Sequence, residues 1–344
     1  MVLLSVIAAP FFMAACGRVQ TKSIPPRTWL ALGTVCTVNA FSDGSDRLYS
    51  EIFARLHEID SRFSPGNPQS DISRINAAAG SAQVHVHAET GAVLLRALRY
   101  AELSSGEFDP SVGPLVGLWA INTDKAHVPS SAELDDARTL IDWRKVECTA
   151  EDGGARVRLL RRGMALDLGG IVKGYAADEI AALFKRRGVR RGIIDLGGNT
   201  YVYGAKADGA PWRIGIRNPV EPNGQTALAL SVEGGTSVVT SGVYERFFVQ
   251  DGTRYHHILS PRTGFPARTR ILSVTVASGS SIEADALSTT LFLLGVDKAF
   301  SFLQDNAPDA GAVFITEDNK VIASESLRGR LSIMSGTFSD IEYR

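Results

Sequence analysis

Apolar residues recur along this chain at two spacings. Between Ser50 and Phe63, Ile52, Leu56 and Ile59 fall on one side at helical intervals, and Thr90 to Ser104 repeats the pattern up to Gly106. Ile171 to Arg187 predicts a third helix, with Ile171, Tyr175, Ile180, Leu183 and Phe184 facing inward and Gly188 placed to end it. Ser131 to Leu140 predicts a short helix and Ser281 to Gln304 a long one. Strands are predicted at Thr28–Phe41, Gly192–Leu196, Trp212–Asn218, Ala227–Val232, Ser237–Thr240, Glu245–Gln250 and Ile271–Ala277, with a strand pair over Arg156–Leu168. Helices and strands mix without strict alternation, which predicts an α+β fold over a doubly wound sheet. Phe108 to Trp119 carries two prolines and two glycines, so no long regular element is expected there; it wraps a core or lines a pocket.

The first fifteen residues are apolar throughout and end in Met13-Ala14-Ala15-Cys16-Gly17. Sixteen helical residues span about 24 Å, short of the roughly 30 Å hydrocarbon core. The segment resembles a bacterial lipoprotein signal, with Cys16 as the lipidated residue, although no Lys or Arg precedes it and Met13 stands where leucine is usual. Residues 1–15 are therefore expected to be a signal peptide, 16–29 a tether containing Pro25-Pro26, and 30–344 one domain. Only Cys36 and Cys148 then remain, and their spacing does not establish a disulfide. The 344 residues carry 36 basic and 37 acidic side chains, which excludes a broad basic field for nucleic acid and leaves any anionic ligand to a local site.

Three constellations carry candidate chemistry. In the first, Met164 to Leu168 leads through Asp167 into Gly169-Gly170 and then Lys173, a predicted strand-to-helix joint. Glycines and free N–H groups there suit an anion, and Lys173 adds a charge; a tight turn with a lysine in water fits equally. A second Asp-Leu-Gly-Gly at Asp195–Gly198 makes the passage β-α-β. The second constellation is His256-His257 before Pro261-Arg262-Thr263-Gly264. Adjacent strand residues face opposite ways, so at most one histidine faces a given pocket. The third follows Ser280, which has capping-box spacing to Glu283. Asp285 and Thr289 then share a helix face and offer two oxygens to a hard cation, or simply a first-turn acid and a back-bonded threonine. His85 and His87 read as a solvated strand face.

Taken in order, these segments resemble the ApbE family of periplasmic FAD:protein flavin transferases. The resemblance rests on Leu32-Gly33-Thr34, Phe63-Ser64 with Asn76, Gly106-Glu107-Phe108-Asp109, Val112-Gly113-Pro114-Leu115 with Trp119, and Asp167 through Ala176. It continues through Gly197-Gly198-Asn199, Thr240-Ser241-Gly242, His257 through Gly264 and Ala284-Asp285-Ala286, covering roughly residues 30–340. It implies mixed sheets with packed helices around a deep FAD pocket. It also implies FAD contacts at Leu32, Glu107, Phe108, Asp109, Asp167, Lys173 and Ile258, and magnesium at Gly170 (through its carbonyl), Asp285, Ser288 and Thr289.

The implied reaction moves FMN from FAD to a threonine hydroxyl of an acceptor protein, with AMP released. The expected acceptor is a membrane redox subunit, met on the periplasmic side of a bacterial membrane to which Cys16 anchors the enzyme. Unit charges about 4 Å apart interact by roughly 4 kcal/mol at an effective dielectric near 20, which makes the cation the expected dominant aid to diphosphate cleavage. His257 is the candidate base, worth about 10²–10⁴-fold, with Asp285 as the competing one. Two other readings share these residues: a magnesium-dependent FAD diphosphatase giving FMN and AMP, and a non-catalytic periplasmic flavin-binding lipoprotein.

Overall fold

The computed structural model describes residues 24–221 and 224–344. Cys16 and the expected signal peptide lie outside the described residues. The chain opens with strands β1 (Arg27–Ala31) and β2 (Thr34–Asn39), helices α1 (Asp46–Phe63) and α2 (Asp71–Ala77), and β3 (Val84–His87). Next come α3 (Ala88–Leu103), α4 (Gly113–Trp119), α5 (Ser131–Thr139), β4 (Val146–Glu151), β5 (Gly154–Leu159) and α6 (Val172–Arg186). Strands β6 (Gly192–Leu196), β7 (Asn199–Tyr203), β8 (Trp212–Arg217), β9 (Thr226–Val232), β10 (Thr236–Gly242), β11 (Phe247–Gln250), β12 (Thr253–His256) and β13 (Ile271–Ser278) follow. The chain closes with α7 (Ser281–Leu294), α8 (Val296–Asn306), β14 (Gly311–Thr316), β15 (Val321–Ala323), β16 (Leu331–Ile333) and β17 (Ile341–Tyr343).

The architecture is the expected α+β. A nine-stranded sheet runs β1-β2-β6-β7-β10-β13-β14-β15-β17, with every neighbouring pair antiparallel except β15 and β17. Two three-stranded sheets, β16-β9-β8 and β3-β5-β4, and the β11–β12 hairpin flank it. Both faces of the large sheet are covered. Along β14, Ala312 and Phe314 enter the core beneath the helices, while Val313 and Ile315 enter the one shared with β8 and β9. The two-residue period of a strand sends alternate side chains into the two cores, so β14 is buried along its whole length. Helices α6 and α7 lie against each other, and α7 rests on β10 and β13.

Several sequence expectations need correction. Thr28–Phe41 is two strands, because Leu32 and Gly33 both take positive φ (54° and 66°) and close a two-residue turn. Arg156–Leu168 holds only β5, whose partner β4 lies upstream. Met164–Leu168 is irregular apart from a bridge between Ala165 and Val112, and β6 runs antiparallel to β2 and β7, so no β-α-β passage exists. Ser281–Gln304 is broken by Gly295 at φ 79° into α7 and α8. Phe108–Trp119 does contain one short helix, α4, with Pro114 in its first turn. Cys36 and Cys148 are both free thiols.

The Ser280–Glu283 capping box does not form. Asp178 of α6 caps α7 instead, accepting the N–H groups of Ser281 at 2.9 Å and Ile282 at 3.0 Å, while Glu283 pairs with Arg96 at 2.7 Å. Sequence spacing favours the local partner, but a carboxylate brought in by the neighbouring helix satisfies the same donors. Asp178→Ala strands two amides at a helix start and is expected to lower the unfolding free energy by about 1–2 kcal/mol, read from urea midpoints. An unchanged midpoint would show that the cap contributes nothing.

Candidate active site between two helices

A cleft of about 570 Å³ opens beside the start of α6 and the adjoining face of α7. Asp285 and Thr289 lie one turn apart on α7, and both line it. Asp285 is only 3% exposed. Its Oδ2 accepts the Gly174 N–H at 2.8 Å, and its Oδ1 faces the Lys173 Nζ at 3.4 Å. The same ammonium donates to the Gly169 carbonyl at 3.2 Å. Gly174 is what lets the helices approach, since a Cβ there would sit 2.3 Å from the Ser281 carbonyl oxygen. Ser288 is fully buried and does not line the cleft. Its hydroxyl donates to the Asp285 carbonyl at 2.9 Å and meets the Ser241 hydroxyl at 2.8 Å. Ser241 in turn lies 3.4 Å from the Thr289 hydroxyl.

Facing α7 is the loop from Asp167 to Gly170. Side-chain hydrogen bonds hold it where a strand was expected. Asn76 accepts the Leu166 N–H at 2.7 Å and donates to the Leu166 carbonyl at 3.1 Å, mimicking a ladder partner. Asp167 accepts the Gly169 N–H at 2.9 Å, and burial pushes its carboxyl above the usual range. A Cβ at Gly170 would lie 3.2 Å from the Phe108 ring and 3.4 Å from the Thr289 Oγ1, so this loop, the aromatic and α7 meet at one point.

His257 and Ile258, which follow β12, line the cleft, while His256 turns away. The His257 backbone N–H and the ring Nδ1 both reach the Arg246 carbonyl, at 3.1 and 3.2 Å. A carbonyl only accepts, so Nδ1 carries the proton and Nε2 keeps a free lone pair. Burial, and after it the Arg246 charge, hold this imidazole down to about 3. Diphosphate negative charge in the cleft would counter Arg246 and Lys173. The His257 midpoint is accordingly expected to rise when ADP is added, followed by NMR of labelled histidine; a fall would contradict this balance of charges.

His256 accepts the Ile258 N–H at Nδ1 and donates from Nε2 to the Ala267 carbonyl at 3.1 Å. A second ring proton would face a donor. Burial lowers its pKa from 6.5 to about 4, so in that range the unfolded chain binds a proton that the folded one refuses. The stability from the neutral ring is present above pH 6.5 and is lost as pH falls toward 4. Urea midpoints of His256→Phe are expected to fall less on acidification than those of the parent; an equal fall would place the acid sensitivity elsewhere.

Leu32, Glu107, Phe108 and Asp109 also line the cleft. Glu107 pairs with the exposed Arg262 at 2.5 Å. Asp109 is turned into its own loop, where Oδ1 takes the Ser111 amide and hydroxyl at 2.8 and 2.7 Å and Oδ2 takes the Trp143 amide at 3.2 Å. Sequence reasoning missed Glu245 and Arg246, which also line the cleft. The Arg246 guanidinium donates to the Gly33 carbonyl at 3.1 Å, tying the β1–β2 turn to the histidine wall. Beside a short strand, an arginine gives no sequence signal that separates this role from a solvated edge. His85 and His87 stand exposed on β3, where the His87 ring accepts the Glu89 amide at the start of α3.

Among the described residues no three or more His, Cys, Asp or Glu side chains are arranged to hold a metal ion. What converges is an oxygen set: the Asp285 carboxylate, the Thr289 hydroxyl and the Gly170 backbone. That donor chemistry fits a small hard cation with few protein ligands and a shell completed by water or phosphate.

The model of the ApbE family matches residues 32–314. A curated FAD:protein FMN transferase from Treponema pallidum (strain Nichols) is 39% identical over 337 residues, covering 94% of this chain and 92% of its own. One from Klebsiella pneumoniae (strain 342) is 34% identical over 297 residues, with 86% and 91% covered. Among solved structures, the ApbE protein of Thermotoga maritima aligns with a TM-score of 0.79 at 32% identity, covering 89% of this chain and 98% of that one. The flavin transferase ApbE from Vibrio cholerae aligns at 0.76 and 28% identity, covering 88% and 98%. Fold and sequence agree over most of the described chain, and the chain belongs to the ApbE family.

Proposed function

We propose that this chain transfers FMN from FAD to a threonine hydroxyl of an acceptor protein and releases AMP, with magnesium as its metal. The observation that carries the reading is the meeting, in one cleft, of an imidazole with a free Nε2 and a buried carboxylate–lysine pair. The acceptor oxygen forms a bond to the FMN phosphorus as the bond to the bridging diphosphate oxygen breaks. The electron pair of the broken bond leaves with AMP, and His257 Nε2 takes the hydroxyl proton. Asp285, Thr289 and the Gly170 carbonyl would hold magnesium, which when bound supplies Lewis-acid stabilisation of charge on the leaving phosphate. Lys173 supplies a second positive charge toward the same oxygens, and Phe108, Ile258 and Leu32 provide apolar walls. Cys16, after an apolar run, supports lipid anchoring on the periplasmic side of the membrane, where a membrane redox subunit would be the acceptor.

The test is mass spectrometry of a threonine-bearing acceptor protein incubated with this chain, FAD and magnesium. An FMN adduct on the threonine, with equimolar AMP, is expected. Free FMN without adduct would replace transfer by hydrolysis; FAD retained without AMP would reduce the protein to a flavin carrier.

A further inference from the structure

The Lys173–Asp285 pair has a consequence for metal loading. Asp285 has two carboxylate oxygens, and the Gly174 amide occupies Oδ2. Oδ1 is the oxygen left for a cation, and the Lys173 ammonium already sits 3.4 Å from it. A magnesium ion binds carboxylate oxygen at about 2.0–2.1 Å, which would place two cations within a few ångströms of each other in a nearly buried setting.

We propose that Lys173 is an internal stand-in for the metal: it neutralises Asp285 in the metal-free protein and must leave Oδ1 before a divalent cation can take that place. The inference rests on the proposal that magnesium binds at Asp285. The local geometry permits the exchange. The Lys173 side chain is 22% exposed, against 4% for that of Asp285, so the ammonium has an open path into the cleft while the carboxylate stays fixed. Its other partner is a backbone carbonyl, that of Gly169, a neutral acceptor that does not hold it as strongly as a second carboxylate would. Once displaced, the ammonium enters the space where the diphosphate would lie, so metal loading also delivers the second positive charge. Lys173 is thus a positioning residue, and it lowers the metal affinity of the protein in the absence of ligand.

Calorimetric titration of magnesium into wild type, Lys173→Met and Lys173→Arg, without flavin, tests this directly. Lys173→Met is expected to bind at least about tenfold more tightly than wild type, because its carboxylate has no cation to lose, and to melt at a lower temperature when metal-free. Lys173→Arg is expected to stay near wild type. Equal or weaker binding by Lys173→Met, with wild type binding normally, overturns the inference and leaves the metal reading intact. Absence of binding by all three overturns both. Amine labelling of wild type needs no variant: modification of Lys173, read by peptide mass spectrometry, is expected to rise severalfold on adding magnesium, and an unchanged or reduced yield overturns the displacement.

Discussion

Asp285→Ala is expected to abolish AMP release from FAD, a loss of about 10³-fold or more, because it removes the cleft's fixed metal-facing charge. The alanine variant also strands the Gly174 amide and the Lys173 ammonium, so structural damage has to be separated from chemical loss. Asp285→Asn does this. Its side-chain carbonyl still accepts from Gly174, which sits 2.8 Å from Oδ2 in the parent, while the charge is gone. A urea midpoint close to wild type with AMP formation down by the same factor is the expected pair of results, with AMP read by chromatography. If Asp285→Asn releases AMP within about tenfold of wild type, the carboxylate has no part in the reaction.

Gly174→Ala is expected to damage both the stability and the activity of the cleft wall. The added carbon would meet the Ser281 carbonyl oxygen at 2.3 Å and the Ile282 Cα at 2.6 Å, both backbone atoms that cannot rotate aside. Overpacking in a dense core costs about 1–3 kcal/mol, and this contact belongs at the upper end or beyond, because only separation of α6 from α7 relieves it. Separation also pulls the Gly174 amide away from Asp285, so activity should fall together with stability. Thermal melts and AMP assays on the same preparation check both. A variant with wild-type melting would mean that the two helices are free to shift.

Much of this is legible in the chain. Helices α1, α3 and α6 follow from apolar spacing, since each buries the apolar positions that its spacing marks. The Asp285–Thr289 face and the opposed aims of His256 and His257 follow from the periods of helix and strand. Other features depend on tertiary partners that spacing does not encode. Met164–Leu168 has a strand's composition but satisfies its backbone through Asn76, ninety positions upstream. Spacing points to a local cap for α7, whereas Asp178 supplies it from another helix. Ser288 sits beside two oxygens of the cleft in sequence, yet its rotation around α7 carries it into the Ser241 contact. Arg246 acts partly through its backbone carbonyl, a group every residue has, and partly through a guanidinium contact to the distant Gly33 carbonyl, and neither is marked by local spacing.

The cap that Asp178 places on α7 ties the birth of one helix to the completion of another. The segment bearing Asp285 has no self-sufficient beginning, and the reciprocal grip of Asp285 on the Gly174 amide closes the loop of dependence. Neither rod can fray at this junction without loosening its neighbour, so the cleft wall should come apart as a unit: partial openings that expose one half while sparing the other are disfavoured, and a nascent chain gains this wall only after the polypeptide has been made through α7.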